Sequence, residues 1–399
     1  MHVTSLDDWI SRAKDTPRSL RGRRVFLRAD LNVPLDGNRV RDDTRIRASL
    51  GTLTRLLNEG ASVILASHLG RPKGQVNPSL SLAPVAARLS ELIPNPVHFI
   101  ADCIGKEAQT AAAALSPGEV LVLENLRFHP GETENDPKFA EELAQLAEAY
   151  VNDAFGTAHR AHASTVGIVH HLPDAVAGDL LRAELSHLGV VLEPQRPLLC
   201  LLGGAKVSDK MGVLRALSER ADVLAIGGAM AYTFLAAKGH SVGQSLVETD
   251  RIDDSLSIME AAKTNQCKLL LPTDHVIARG LEEDSETRIE SEIPEGWMGV
   301  DIGPMTATAY AHEAKLAQTI MWNGPMGVFE LVSFASGTRE VAQAVADASA
   351  TSVVGGGDSL AAINQLELGE QINHLSTGGG ASLEFIQGLT LPGVAALEK

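Results

Sequence analysis

The sequence predicts an α/β protein made of two doubly wound, Rossmann-like parallel-sheet domains joined by a hinge helix. Three observations carry this. Short aliphatic or β-branched runs recur along the chain, each followed at once by glycine or a polar residue and then by a longer helical pattern. The 399 residues, 44% hydrophobic and 4% aromatic, are enough to bury two sizeable cores. The residues that follow the runs also change character midway, from polar and cationic to glycine-rich.

In the first half the runs are VFLRA (25–29), SVILA (62–66), VHFI (97–100), EVLVLE (119–124) and AYVN (149–152). In the second they are PLLCLL (197–202), VLAIG (223–227), KLLLP (268–272), TIMW (319–322), SVVG (352–355) and HLS (374–376). Helical stretches such as FAEELAQLAEAYV and MGVLRALSERA lie between them, the alternation expected of largely parallel sheets. Between the halves, DLLRAELSHLGVVLEPQRP reads as an amphipathic helix stopped by Pro194 and Pro197. The expected division is therefore a first domain over 1–178, a connecting hinge helix over 179–197 and a second domain over 198–388.

Composition narrows the class. No apolar stretch reaches the roughly 20 residues of a membrane helix, and the start MHVTSLDDWI has acids where a signal peptide needs a basic then apolar run. The expectation is a cytoplasmic protein without a membrane partner. Cys103, Cys200 and Cys267 are far apart and lack C-x-x-C spacing, so neither a zinc site nor a disulfide framework is indicated. They read as reduced, buried thiols.

Charge is uneven. Formal net charge is -16, yet residues 1–75 hold 14 Lys plus Arg against 8 Asp plus Glu. SHLGRPKG (67–74) packs three of the positive-type groups into one turn. A nucleic-acid binder would interleave aromatics for stacking, and this segment offers only Trp9 and Phe26. A small anionic ligand fits better than nucleic acid, the alternative being a solvated arginine-rich face.

In open α/β sheets, ligands bind beyond the carboxyl ends of the strands. In the first half those positions hold Asp30 and Asn32, then His68 and Arg71, then Arg127, then Asp153 with AFGTAHR and Arg160. One arginine there is most simply a surface ion pair, but recurrence at four strand ends points to carboxylate or phosphate recognition. The second half supplies glycine instead, in LLGGAKVSDK, AIGGAMAYTF, WNGPMGVFE, VVGGGDSLAA and LSTGGGASLEF. Glycine allows close backbone approach, and a following helix N-terminus offers N–H donors to phosphate. For any one glycine pair, tight packing explains as much; five such exits are harder to assign to packing alone.

No G-x-x-x-x-G-K-[ST] occurs, which argues against a P-loop enzyme. The G-x-G pairs at 355/357 and 378/380 are followed three residues on by Leu360 and Leu383, so the dinucleotide fingerprint is absent and a dehydrogenase loses support. Lys206 and Lys210, four apart, are expected on one helix face near its N-terminus, where they suit phosphate neutralisation.

VFLRADLNVPLDG, DDTRI, SHLGRPKG, LENLRFHPGE, DAFGTAHRAHAS, LGGAKVSDKMGV, WNGPMGVFE, GGGDS and STGGGASLEF, in this order and across nearly the whole chain, resemble the motifs of bacterial-type phosphoglycerate kinases. Carried onto matching positions, the resemblance implies that Asp30, Asn32, Arg45, His68, Leu69, Gly70, Arg71, Arg127 and Arg160 surround the phosphoglycerate. It assigns Lys206, Lys210, Gly299, Glu330, Gly356, Gly357, Asp358 and Ser359 to ADP or ATP, with Asp358 near the Mg²⁺ of the nucleotide. The implied reaction is reversible transfer of the acyl phosphate of 1,3-bisphosphoglycerate to ADP, giving 3-phosphoglycerate and ATP, in glycolysis. Arg45, Lys206 and the N–H groups of Gly378, Gly379 and Gly380 are the groups expected to stabilise the moving phosphoryl.

The resemblance also implies a monomer that works by hinge-bending closure, with the tail LTLPGVAALEK (389–399) returning to the first domain through Val394 and Leu397. Two positions depart from the family pattern: Met305 stands where a lysine commonly follows DIGP, and GQSLVE replaces GKSLVE. Neither belongs to the ligand set above. The competing expectations are a catalytically inactive scaffold of the same fold and another nucleotide-dependent α/β enzyme.

Overall fold

All eleven runs form strands, because each is short, mostly apolar or β-branched and closed by turn residues, too short to nucleate a stable helix. The computed structural model describes residues 3–13 and 19–398. Contacts divide the chain into two units, Met1–Leu185 with Thr390–Lys399, and Ser186–Leu389.

The first unit is built on a parallel sheet of six strands in the order Val97–Ile100, Val120–Leu123, Ser62–Ala66, Arg24–Ala29, Ala149–Asp153 and Ala175–Ala177. Every residue of Ser62–Ala66, Val120–Leu123 and Ala149–Asp153 is buried. The first strand in sequence sits inside the sheet and the chain winds outward on both sides of it, which places the topological switch point beside Ala29. Leu27, Val63, Leu65, Val122 and Val151 pack one face with Trp9, Leu53 and Leu56.

The second unit repeats the plan with a parallel sheet in the order Lys268–Leu270, Val223–Ile226, Leu198–Leu202, Thr319–Asn323, Thr351–Gly355 and His374–Ser376. Leu198–Leu202 is again interior, with the switch between it and Thr319–Asn323. This sheet packs around Trp322, Tyr310, Ile320 and Val345.

The structure also departs from the sequence reading. A three-stranded antiparallel sheet, Thr287–Glu290, His275–Ala278 and Met298–Ile302, is added to the second unit, and a small hairpin pairs Leu35–Asp36 with Arg39–Val40. Ala175–Ala177 extends the first sheet. The helical stretch FAEELAQLAEAYV is shorter than expected: the helix is Pro137–Ala144, opened by the Asp136 carboxylate accepting from Phe139 N at 2.8 Å, and residues 149–151 join the sheet.

The unit boundary falls within the helix Asp179–Leu192. Its first turn is fastened by Asp153 Oδ1, which accepts from Leu180 N at 2.9 Å and Leu181 N at 3.1 Å. Asp153 therefore caps a helix, and does not serve as the ligand-facing strand-end group the sequence reading made of it. Near the C-terminus, Leu391, Val394 and Leu397 are buried within the first unit and Gly393 N donates to Ala158 O at 2.8 Å. Lys399, the last residue of the expected tail, lies outside the described residues.

Candidate active site

The floor of the first site is an arginine that the sequence hides inside a strand. Arg28 lies in Arg24–Ala29 and is fully buried. A buried guanidinium must spend its donors. Nε donates to Ser164 Oγ at 2.9 Å, Nη1 to Ala29 O, and Nη2 meets His68 Nδ1 at 3.1 Å. Ser164 Oγ donates in turn to Glu132 Oε1 at 2.6 Å, and Ser164 N donates to Glu132 Oε2 at 3.0 Å. Glu132 is fully buried, so the Ser164 hydroxyl links Arg28 to a carboxyl group within a buried network.

Above this floor the strand ends converge. Asp30 Oδ2 accepts from Arg45 Nη1 at 2.5 Å, which holds the helix Thr44–Asn58 against the switch point. Asn32 Oδ1 accepts from Gly70 N at 2.9 Å. Gly70 has φ of +61°, and a Cβ there would lie 2.8 Å from Leu80 Cδ2, so the turn requires glycine. Its carbonyl accepts from Arg127 Nη1 at 3.0 Å. Leu69 offers only backbone: its side chain belongs to the core and its carbonyl accepts from Asn125 Nδ2 at 2.7 Å.

Electrostatics follow from burial beside cations. Burial opposes ionisation of Asp30, but the neighbouring His68, Arg45 and Arg28 and the Asn32 N–H outweigh it and hold the carboxyl below its ordinary range. His68 is pushed well below its ordinary value by burial and by Arg28 and Arg127, so it is neutral at pH 7. Arg127 is lowered to about 10 by burial and the like charge of Arg28, and stays protonated. Its Nε is buried and has no hydrogen-bond partner among the described residues. Arg71 and Arg160 are exposed; their charges lower Arg127 and His162 respectively, which places both beside the same patch. His162 falls to about 4 through burial and the arginines Arg127, Arg28 and Arg160.

The structure thus ties Asp30, Asn32, Arg45, His68, Gly70 and Arg127 into one cationic surface. Sequence reasoning missed Arg28 and His162. A charged residue inside an otherwise apolar strand was the available signal for the first, and a second histidine in AHRAHAS for the other.

In the second unit the glycine exits divide into two kinds. A Cβ on Gly203 would lie 1.9 Å from Pro325 O, and one on Gly228 2.5 Å from Gly204 N, so these glycines let neighbouring turns touch. Gly357 and Gly379 have no atom within 4 Å of an added Cβ, and Gly356 has φ of +95°. Among the described residues, Gly357 and Gly379 thus leave open space at the starts of the helices Gly357–Gln365 and Gly380–Ile386, whereas a Cβ on Gly356 would lie 2.9 Å from Asn323 Nδ2. Asp358 is exposed in the first turn of the former. Ser359 is fully buried and accepts from Gly324 N at 2.6 Å, so its hydroxyl serves the fold. Gly378 N donates to Ser376 Oγ at 3.4 Å.

Lys206 and Lys210 do not share a helix face. Lys206 is exposed in the loop, while Lys210 ends the 3₁₀ turn Ser208–Lys210 before the helix Met211–Ser218. Glycine at 203–204 lengthens the turn, so the 3.6-residue period begins too late to align them. Lys210 Nζ donates to Gly203 O at 2.6 Å and Asn323 O at 2.8 Å, and burial lowers it to about 8. Gly299 lies in the antiparallel strand Met298–Ile302; a Cβ there would be 1.9 Å from Tyr232 Oη. Glu330 is exposed in the turn after Thr319–Asn323. Met305 is 71% exposed, so the departure from lysine alters a solvated position only.

Comparison with known proteins agrees with this geometry. The family model described as Phosphoglycerate kinase matches residues 14–389. The phosphoglycerate kinase of Chlorobium chlorochromatii is 56% identical over 383 residues, covering 94% of this chain and 96% of that one. That of Moorella thermoacetica is 54% identical over 381 residues, covering 95% and 97%. Among solved structures, the phosphoglycerate kinase from Coxiella burnetii superimposes with a TM-score of 0.88 at 39% identity, covering 99% of both chains. The enzyme from Pyrococcus horikoshii gives 0.83 at 34% identity, covering 95% and 96%.

Proposed function

The chain belongs to the phosphoglycerate kinase family, and from that premise we propose that it transfers the acyl phosphate of 1,3-bisphosphoglycerate to ADP, reversibly, giving 3-phosphoglycerate and ATP. The observation that carries the reading is Arg127: a half-buried cation whose Nε is buried and has no hydrogen-bond partner among the described residues, in a patch with Arg28, Arg45 and His68, within a chain of net charge -16. Such a group calls for an anion to complete it.

The three-carbon ligand is assigned to the first unit. Arg127 and Arg71 suit its phosphate or carboxylate, and the neutral His68 supplies an Nε2–H donor. Asp30 and Asn32 suit the hydroxyl. The nucleotide is assigned to the second unit, with Lys210, Gly356 and Gly357 toward phosphate oxygens, Gly299 as a backbone position beside Tyr232, and Glu330 toward ribose hydroxyls. An acyl phosphate already has a good leaving group, so catalysis lies in alignment and charge stabilisation. Arg45, Lys206 and the N–H groups at Gly378, Gly379 and Gly380 are proposed for that role.

Mg²⁺ fits Asp358, an exposed hard oxygen donor at the open end of a helix. Among the described residues no cluster of three ligating side chains includes Asp358, so one carboxylate, phosphate oxygens and water would complete the ion's shell. When bound with the nucleotide, the ion would neutralise polyphosphate charge.

The proposal includes a monomer acting through a closing motion about residues 179–197, since reacting atoms must come within bonding reach and exclude water. Small-angle scattering should give a smaller radius of gyration with both ligands than with either alone. The reaction itself is tested by a coupled ATP-forming assay: ATP production that requires both ADP and 1,3-bisphosphoglycerate is expected, and its absence from folded protein would sink the reading. The described residues contain no helix long and apolar enough to cross a membrane, and a cytoplasmic location is part of the proposal.

A further inference from the structure

Three side chains of metal-ligating type meet at the edge of the first sheet, outside the residues assigned to either ligand. Asp102 and Cys103 follow the strand Val97–Ile100, and His129 follows its neighbour Val120–Leu123, just before the helix Pro130–Glu134. One carboxylate oxygen, the Cys103 Sγ and one imidazole nitrogen all lie within 4.8 Å of one another. His129 Nε2 donates to Asp102 Oδ1 at 2.7 Å. Cys103 is 1% exposed and forms the floor, while the His129 and Asp102 side chains, 31% and 48% exposed, form a rim open to solvent.

We propose that Asp102, Cys103 and His129 form a binding site for one borderline divalent cation of the zinc type. Thiolate, imidazole and carboxylate are the donors such ions take, and three of them on one side leave a fourth, solvent-facing position for water. The hard ions Mg²⁺ and Ca²⁺ take oxygen shells and do not match a set containing sulfur. Donors of a tetrahedral ion of this type lie about 3.3–3.8 Å apart, so atoms within 4.8 Å of one another would draw together by up to about 1 Å on binding. On binding, the thiol proton leaves to solvent as the metal–sulfur bond forms, and the one ring proton of His129 moves from Nε2 to Nδ1, so that the Nε2 lone pair takes the metal with no further proton released. Asp102 exchanges its hydrogen bond for a metal–oxygen bond.

The spacing of the cysteines does not point to this cluster, because its members come from the ends of two adjacent strands. Only the parallel pairing of Val97–Ile100 with Val120–Leu123 brings them together.

The test uses the full chain, stripped with chelator, then titrated with ZnCl₂ by calorimetry and with CoCl₂ by absorbance. One ion per chain is expected, with release of about one proton near neutral pH across buffers of different ionisation enthalpy. Co²⁺ should produce a sulfur-to-metal charge-transfer band. Cys103→Ser should abolish that band, and His129→Gln should weaken Zn²⁺ binding by at least about tenfold, both with unchanged circular dichroism. Should Cys103→Ser fail to fold, the wild-type Co²⁺ spectrum and His129→Gln still decide. Binding that survives His129→Gln unchanged, a Co²⁺ complex without the band, or no binding would each overturn the proposal.

Discussion

Arg28 Nη2 lies 3.1 Å from His68 Nδ1 in the buried floor of the cationic patch, and this contact fixes where the imidazole carries its proton. A guanidinium only donates, so Nδ1 must accept, and neutral His68 keeps its hydrogen on Nε2. Burial and the Arg28 charge act in the same direction. Nitrogen-15 spectra of the imidazole should show the Nε2–H tautomer at pH 7 and no imidazolium at pH 6. An imidazolium signal at pH 6 would contradict this arrangement.

The folded value of about 4 for His162 bears on stability. The unfolded chain takes up a proton on this histidine below about 6.5, while the folded protein does not until about 4. The contribution is therefore complete above about pH 6.5 and lost as pH falls toward 4, at about 1.4 kcal/mol per pH unit. Asp153, raised to about 6 by burial, acts in the opposite sense: it favours the folded state at low pH, and that contribution is lost as pH rises through 6. Replacing His162→Asn should remove the first term alone. Denaturant unfolding at pH 7 and pH 5 should show the wild type losing about 2 kcal/mol more than the variant; equal losses would argue against a buried neutral His162.

Gly70 joins turn geometry to ligand geometry. Gly70→Ala forces a side chain into left-handed backbone and against Leu80, at a cost of about 1–3 kcal/mol. It should also displace the carbonyl that holds Arg127, weakening 3-phosphoglycerate binding while leaving ADP binding in place. Calorimetry with each ligand separately checks both halves; intact affinity for 3-phosphoglycerate would detach the turn from the site.

Arg71→Ala should likewise weaken 3-phosphoglycerate binding and spare the nucleotide, since the two ligands are proposed for different units. Lys206→Ala should instead lower turnover by about 10²–10³, the range for loss of a preorganised charge stabiliser. Steady-state kinetics with both substrates varied would separate the two, and an unchanged kcat would remove Lys206 from the mechanism.

Strands were legible because their buried runs are short, apolar and closed by turn residues, and all eleven were found from that pattern. Residues at the strand ends were legible because topology, not local contact, puts them on one edge. Other features depended on tertiary context. Thr287–Glu290 is exposed along its length and carries no apolar alternation, so nothing in the sequence marks it as a strand. Arg28 reads as part of an apolar run, and only the network through Ser164 to Glu132 makes its burial tolerable. The four-residue spacing of Lys206 and Lys210 spoke for a helix that begins only after them.

Phosphorus-31 spectroscopy of the folded protein with ATP, 3-phosphoglycerate and Mg²⁺ tests the central claim most directly, because it sees the transferred group. The account predicts an acyl-phosphate resonance growing with ADP, dependent on 3-phosphoglycerate and lost in Arg127→Ala. Binding of both ligands with no acyl phosphate formed, or formation that persists without Arg127, would contradict it.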